Sequence, residues 1–144
     1  MLQETLINAA RAGATVLEQF FNQHDLRISN KESINDLVTE ADHASEKVII
    51  ETIRQQFPDH YILTEESGEH KTASNFKWII DPIDGTVNFA NGIPICCVSI
   101  GLEKDGKMLM GAIFNPILKE FYFAEKGKGA SLNGHPIRVS NKSE

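Results

Sequence analysis

The chain has 144 residues, within the roughly 100–200 of a single domain. Its 41% hydrophobic and 24% charged residues exclude a disordered tail, a collagen-like repeat and a coiled-coil rod. Twenty Asp and Glu against fourteen Lys and Arg leave a net charge of −6, which disfavours general nucleic-acid binding and suits a hard divalent cation. No run approaches the ~18 apolar residues of a membrane span, and no basic-then-apolar leader opens the chain. The two cysteines, Cys96 and Cys97, are too close along the backbone to bridge each other readily. A reduced, cytoplasmic protein without a membrane partner is the expectation.

Residues 2–22 read as an amphipathic helix, with Leu2, Leu6, Ala9, Ala10, Gly13, Val16, Leu17, Phe20 and Phe21 on one stripe. A polar stretch over 22–31 ends it. A second helix is expected over 39–57, with Thr39 as N-cap, Asp42 in its first turn and Pro58 as its stop. The period then changes. Short strands are expected over 61–64, 77–80, 97–103, 108–114, 121–124, 130–132 and 136–139. Residues 104–107 and the pair Asn133-Gly134 supply hairpin turns. Two helices followed by hairpin-linked strands imply an α+β fold, with the helices packed on one face of a largely antiparallel sheet.

Three segments carry chemistry. In residues 78–89 an apolar strand ends at Asp81. Pro82 fixes the bend, Asp84 follows three residues after Asp81, and Gly85 permits close approach of backbone. A short helix opening at Gly85-Thr86 presents N–H groups suited to phosphate. Alone, this pattern is equally an Asx turn with Asp84 capping a helix. Glu65-Glu66-Ser67-Gly68 follows another strand directly. Two such acids beside an apolar run need water, a proton or a cation, and a solvated turn is the simpler local explanation. Asp36-Leu37-Val38-Thr39-Glu40-Ala41-Asp42 is the third segment. There the expected helix start lowers the pKa of Asp42, for which capping alone is sufficient reason. Lys31 taken alone is a solvated lysine. The histidines show no metal-ligand spacing, and Gly127-Lys128-Gly129-Ala130 lacks the full phosphate-loop pattern.

Taken in order, residues 36–42, 65–68 and 81–89 resemble the inositol monophosphatase family, and the likeness continues through Val98-Ser99-Ile100-Gly101, residues 127–130 and Asn133-Gly134. The resemblance spans nearly the whole chain and implies the first half of a layered αβαβα sugar-phosphatase fold. It implies two or three Mg²⁺ ions. Glu65, Asp81 and the Ile83 carbonyl would serve the first ion, and Asp81 with Asp84 the second. Glu65, Ile83, Asp84, Gly85 and Thr86 would border the substrate phosphate. A water activated by the first ion would attack, oriented by Glu65 and Thr86, with Thr86 held by Asp42. Lys31 and Glu66 match nearby positions of less direct role.

The family's second α/β half, with a Trp-Asp segment that completes the second cation site, has no counterpart among these residues. The resemblance therefore implies an N-terminal metal-binding domain over residues 1–144, with its remaining face apolar and prone to self-association. The implied activity is Mg²⁺-dependent hydrolysis of a small phosphorylated polyol, inositol 1-phosphate first, by a lithium-sensitive homodimer. Fructose bisphosphate, histidinol phosphate and 3′-phosphoadenosine nucleotides are alternative substrates. The rival class is a non-catalytic Mg²⁺- and phosphate-binding or protein-interaction module.

Overall fold

A computed structural model describes residues 1–23 and 31–143, with Lys31 and Glu32 described by their backbone alone. Helix α1 (Leu2–Phe21) buries Thr5, Leu6, Ala9, Ala10, Gly13, Ala14 and Leu17, the stripe that its apolar spacing dictates. Helix α2 (Lys31–Gln56) begins well before the expected start at Thr39. Thr39 is no cap: its hydroxyl donates to the Asn35 carbonyl at 3.0 Å, as threonines inside helices do. The apolar stripe of α2 also reaches further back, because Leu37 is fully buried together with Ala41, Ile49 and Ile53. The two helices cross closely at Gly13, where a Cβ would stand 2.6 Å from the Ile49 side chain.

The remaining chain forms strands β1 (Tyr61–Thr64), β2 (Gly68–His70) and β3 (Phe76–Asp84), a short helix α3 (Thr86–Ala90), and strands β4 (Cys97–Lys104), β5 (Lys107–Asn115), β6 (Glu120–Glu125), β7 (Gly129–Leu132) and β8 (His135–Ile137). They make one eight-stranded sheet in the order β2-β1-β3-β4-β5-β6-β7-β8. Strand β2 is the element that periodicity missed, since three residues, Gly-Glu-His, carry no alternation to read. The expected hairpin turns form: Asp105 and Gly106 have φ of 52° and 74°, Asn133 and Gly134 of 49° and 81°, the left-handed pair that a type I′ turn requires.

All neighbouring pairs are antiparallel except β1 with β3, which run parallel. The helices cover one face, α1 against β4 and β5 and α2 against β3. Trp78, Ile80, Val98, Ile100, Leu102, Met110 and Ala112 are buried in the core that includes them. The alternate residues Leu63, Ile79, Ser99, Gly101 and Ile113 face the other way and stay half-buried or exposed, lining shallow grooves. Among the described residues, no helix is long and apolar enough to cross a membrane.

Candidate metal and phosphate site

The one parallel pairing builds the site. Thr64 is in register with Ile80, so the next residue of each chain segment, Glu65 and Asp81, emerges at the same end of the sheet. Antiparallel strands would send those residues to opposite ends. The Glu65 backbone N–H donates to the Ile80 carbonyl at 3.2 Å, extending the pairing by one step.

The Glu65 and Asp81 carboxyl groups lie close enough for Glu65 to raise the Asp81 pKa. Two ionised carboxylates repel each other and have no donor to share, so the pair calls for a proton or a cation. Burial first, then Glu65 and Asp84, push Asp81 up to about 7, against the opposing pull of a backbone hydrogen bond from Ile83. That last bond, from a backbone N–H two residues on, is the Asx turn that the sequence allowed; it and the acidic pair coexist.

Beyond Asp81 the ladder with β4 breaks. Asp81 pairs Ser99 and Asp84 pairs Cys97, which leaves one extra residue on β3 and bends the strand outward. Pro82, buried here, has no N–H to waste, and its carbonyl accepts from Ser45 Oγ at 3.0 Å. The Ile83 side chain is buried at 2% exposure, so only its backbone can serve a ligand. Gly85 turns the chain with φ 86° and ψ 41° and is itself the N-cap of α3, with no side-chain cap bond, so Asp84 does not cap the helix. A Cβ on Gly85 would stand 2.8 Å from the Ile95 carbonyl oxygen. Asp84 and Thr86 are exposed. Helix α3 has five residues, too few for a substantial dipole, so any phosphate affinity there resides in individual N–H groups.

Asp42 overturns its expected electrostatics. It lies about three turns inside α2, not at a helix start, and it is 7% exposed. Its pKa is raised to about 7, first by burial, then by Glu66, Asp81, Glu65 and Glu46. Its Oδ1 is buried without a hydrogen-bond partner. Glu66 is exposed and contributes charge toward Asp42. The side chain of Lys31 lies outside the described residues.

Cys96 and Cys97 are both free. Cys97 lies opposite Asp84, and its thiol is pushed up to about 12 by burial, then by Asp84, Asp81 and Cys96. It is held as a thiol, unsuited to soft-metal ligation or attack.

The donors gathered at the strand ends are oxygens, which match a hard cation such as Mg²⁺. Among the described residues, no group of three Asp, Glu, His or Cys side chains is placed to hold a metal ion. Mg²⁺ does not demand one, since it keeps several waters and takes one or two carboxylates. Neighbouring carboxyls beside a buried carboxylate oxygen without a partner fit a cation, whose charge would offset both.

The sequence alone assigns no role to Ser45, Glu46, Thr64, Ser67 or His70. Glu46 accepts from the Thr64 hydroxyl at 2.8 Å, and both are buried. The available signal was the spacing of Asp42, Ser45 and Glu46, three polar residues on the helix face that also carries Ala41 and Ile49.

The sequence profile of the inositol monophosphatase family matches residues 1–144, and the chain belongs to that family. Among its relatives, the "Nus factor SuhB" of Pasteurella multocida is 43% identical over 140 residues, covering 96% of this chain and 52% of the relative. "Inositol monophosphatase 3" of Solanum lycopersicum is 41% identical over 140 residues, covering 94% and 51%. In structure, inositol monophosphatase from Anabaena superposes with a TM-score of 0.83 at 39% identity, over 98% of this chain and 50% of that one. SuhB from Bartonella henselae gives 0.87 at 35% identity, over 98% and 55%. The α+β reading, two helices on a mostly antiparallel sheet, is thus the fold of these relatives. The chain spans about half the length of the curated relatives it matches.

Proposed function

We propose that this chain carries the cation- and phosphate-binding half of a Mg²⁺-dependent phosphomonoesterase acting on inositol 1-phosphate or a similar small polyol phosphate. Membership supports a phosphatase-like hydrolase at the level of the family, which is generally Mg²⁺-dependent. The observation that carries the reading is the strand register that brings Glu65 and Asp81 to one end of the sheet beside the unpartnered Asp42 Oδ1.

Glu65, Asp81 and the Ile83 carbonyl would hold the first cation, and Asp81 with Asp84 a second. Such ions neutralise charge on the transferring phosphoryl group and ease ionisation of the attacking water. The chain's own part is to bind and orient. Gly85 and Thr86 offer backbone N–H groups to the phosphate, with Glu65, Ile83 and Asp84 at its border. Glu65 and the Thr86 hydroxyl would orient the attacking water. Asp42, whose Oδ1 has no partner of its own, would hold that hydroxyl. Glu66 and Lys31 add charge around the site. We place the protein in the cytoplasm, as a homodimer.

The test is phosphate release from inositol 1-phosphate. Release by the full-length protein should require Mg²⁺ and disappear in Asp81→Asn. Release that persists in excess EDTA would sink the reading. The 144-residue chain should be at least about 100-fold slower, the loss expected when ligands and positioning groups are removed. Fructose bisphosphate, histidinol phosphate and 3′-phosphoadenosine nucleotides are the comparison substrates, and lithium the comparison inhibitor.

The name of the Pasteurella multocida relative, a Nus factor, supports a second reading, a non-catalytic protein-interaction module. That reading predicts Mg²⁺ binding without turnover by the full-length protein.

A further inference from the structure

Helix α2 buries three polar side chains on one stripe: Asp42, Ser45 and Glu46, exposed by 7%, 0% and 7%. Buried polar groups cost free energy unless they are partnered. Ser45 is spent on the Pro82 carbonyl, at the bend of β3. Glu46 Oε2 accepts from Thr64 Oγ1 at 2.8 Å, and Thr64 is the residue before Glu65.

The hydrogen bonds continue outward. The Ser67 backbone N–H donates to Thr64 Oγ1 at 3.0 Å, closing a loop around Glu65 and Glu66. Ser67 Oγ lies 3.3 Å from Thr64 Oγ1 and 2.7 Å from His70 Nε2. His70 Nδ1 lies 3.3 Å from the Arg54 guanidinium. One direction satisfies every link. Arginine only donates, so His70 Nδ1 accepts. A neutral His70 then carries its proton on Nε2 and donates to Ser67. Ser67 donates to Thr64, and Thr64 to the Glu46 carboxylate. Each donor points inward along a chain that ends on a buried acceptor, an arrangement in which the links polarise one another.

We propose that Glu46, acting through Thr64, Ser67 and His70, is a positioning residue that clamps the Glu65–Glu66 turn against Asp81 and so sets the affinity of the site for a divalent cation. The proposal rests on the cation site described above. The helix that holds the Asp81 bend through Ser45 holds the Glu65 turn through Glu46, so the two acidic segments are aligned on one rigid element.

The experiment is Mn²⁺ titration of the 144-residue chain, with free Mn²⁺ read by electron paramagnetic resonance and the metal-free melting temperature measured in parallel. Thr64→Val and Ser67→Ala should weaken Mn²⁺ binding about tenfold, while Thr64→Ser, which keeps the hydroxyl, stays within about twofold of the parent. Glu46→Gln should fall with the first pair; if it does not fold, Ser67→Ala, at an exposed position, decides. A lowered metal-free melting temperature with unchanged Mn²⁺ affinity in Thr64→Val and Ser67→Ala would mean a merely structural role and overturn the proposal. If Asp81→Asn abolishes binding in that same set, the cation site stands without the clamp. No Mn²⁺ binding by the parent, or full binding by Asp81→Asn, overturns both.

Discussion

Asp42 and Asp81 both hold their protons to about pH 7, against 3.8 for an ordinary aspartate. Between those values the folded chain binds more protons than the unfolded one, so these two groups make stability fall as pH rises through that window. A cation at these carboxyls would replace their protons and remove the penalty. The gain in melting temperature on adding millimolar Mg²⁺ should therefore be larger at about pH 8 than at about pH 5. Thermal melts with and without Mg²⁺ check this; a gain independent of pH would detach the two carboxyls from the cation. His60 behaves oppositely. Its ring stacks between Phe57 and Phe76 at centroid distances of 4.5 and 4.8 Å, and its Nδ1 accepts from the indole N–H of Trp78 at 3.0 Å. Burial lowers its pKa below 6.5, with Asp59 opposing. Its contribution to stability is complete above pH 6.5 and is lost as pH falls through the lowered value. Trp78 is the single tryptophan, so acidification should change tryptophan emission with a midpoint below 6.5, and His60→Phe should abolish that step.

At the scale of elements, the bulge of β3 and the turn at Gly85 aim the acidic loop. Gly85 has positive φ, and a Cβ there would also collide with the Ile95 carbonyl. Gly85→Ala should cost at least about 1–2 kcal/mol, the penalty of an L-residue in the left-handed region, read as a lowered midpoint in urea. The strands and turns were largely legible because alternation and left-handed turn pairs are local signals: β1 (Tyr61–Thr64) and the Asn133-Gly134 hairpin lie where expected. Asp81, Asp84, Gly85 and Thr86 were legible as one compact string. The start of α2 was not, because Thr39 satisfies its hydroxyl within the helix and so looks like a cap from sequence alone. The raised pKa of Asp42 was not legible either, since the charges of Glu66, Asp81 and Glu65 that add to its burial come from segments more than twenty residues away. Strand β2 is held by register with β1 rather than by its own composition.

Across the whole molecule, the helices cover one face of the sheet and leave the other uncovered. Ile113 and Met108 stand 46% and 50% exposed there, beside Leu63, Ile79 and Tyr122. An apolar face of this kind drives association in water. The 144-residue chain should show concentration-dependent self-association in sedimentation velocity, and Ile113→Glu should shift it toward monomer while lowering stability by no more than the roughly 0.5 kcal/mol of a surface change.

The parallel pairing of β1 with β3 has a practical consequence for remodelling this protein. What joins Glu65 to Asp81 is a register between neighbouring strands, whereas the connection between them detours through the outermost strand, β2. Lengthening that detour at the exposed residues Lys71, Thr72 and Ala73 changes the path but not the alignment, so the connection can carry an inserted tag or reporter. A single residue added inside β1 would instead turn its side chains to the opposite faces, separating the acids while keeping every one of them in the sequence.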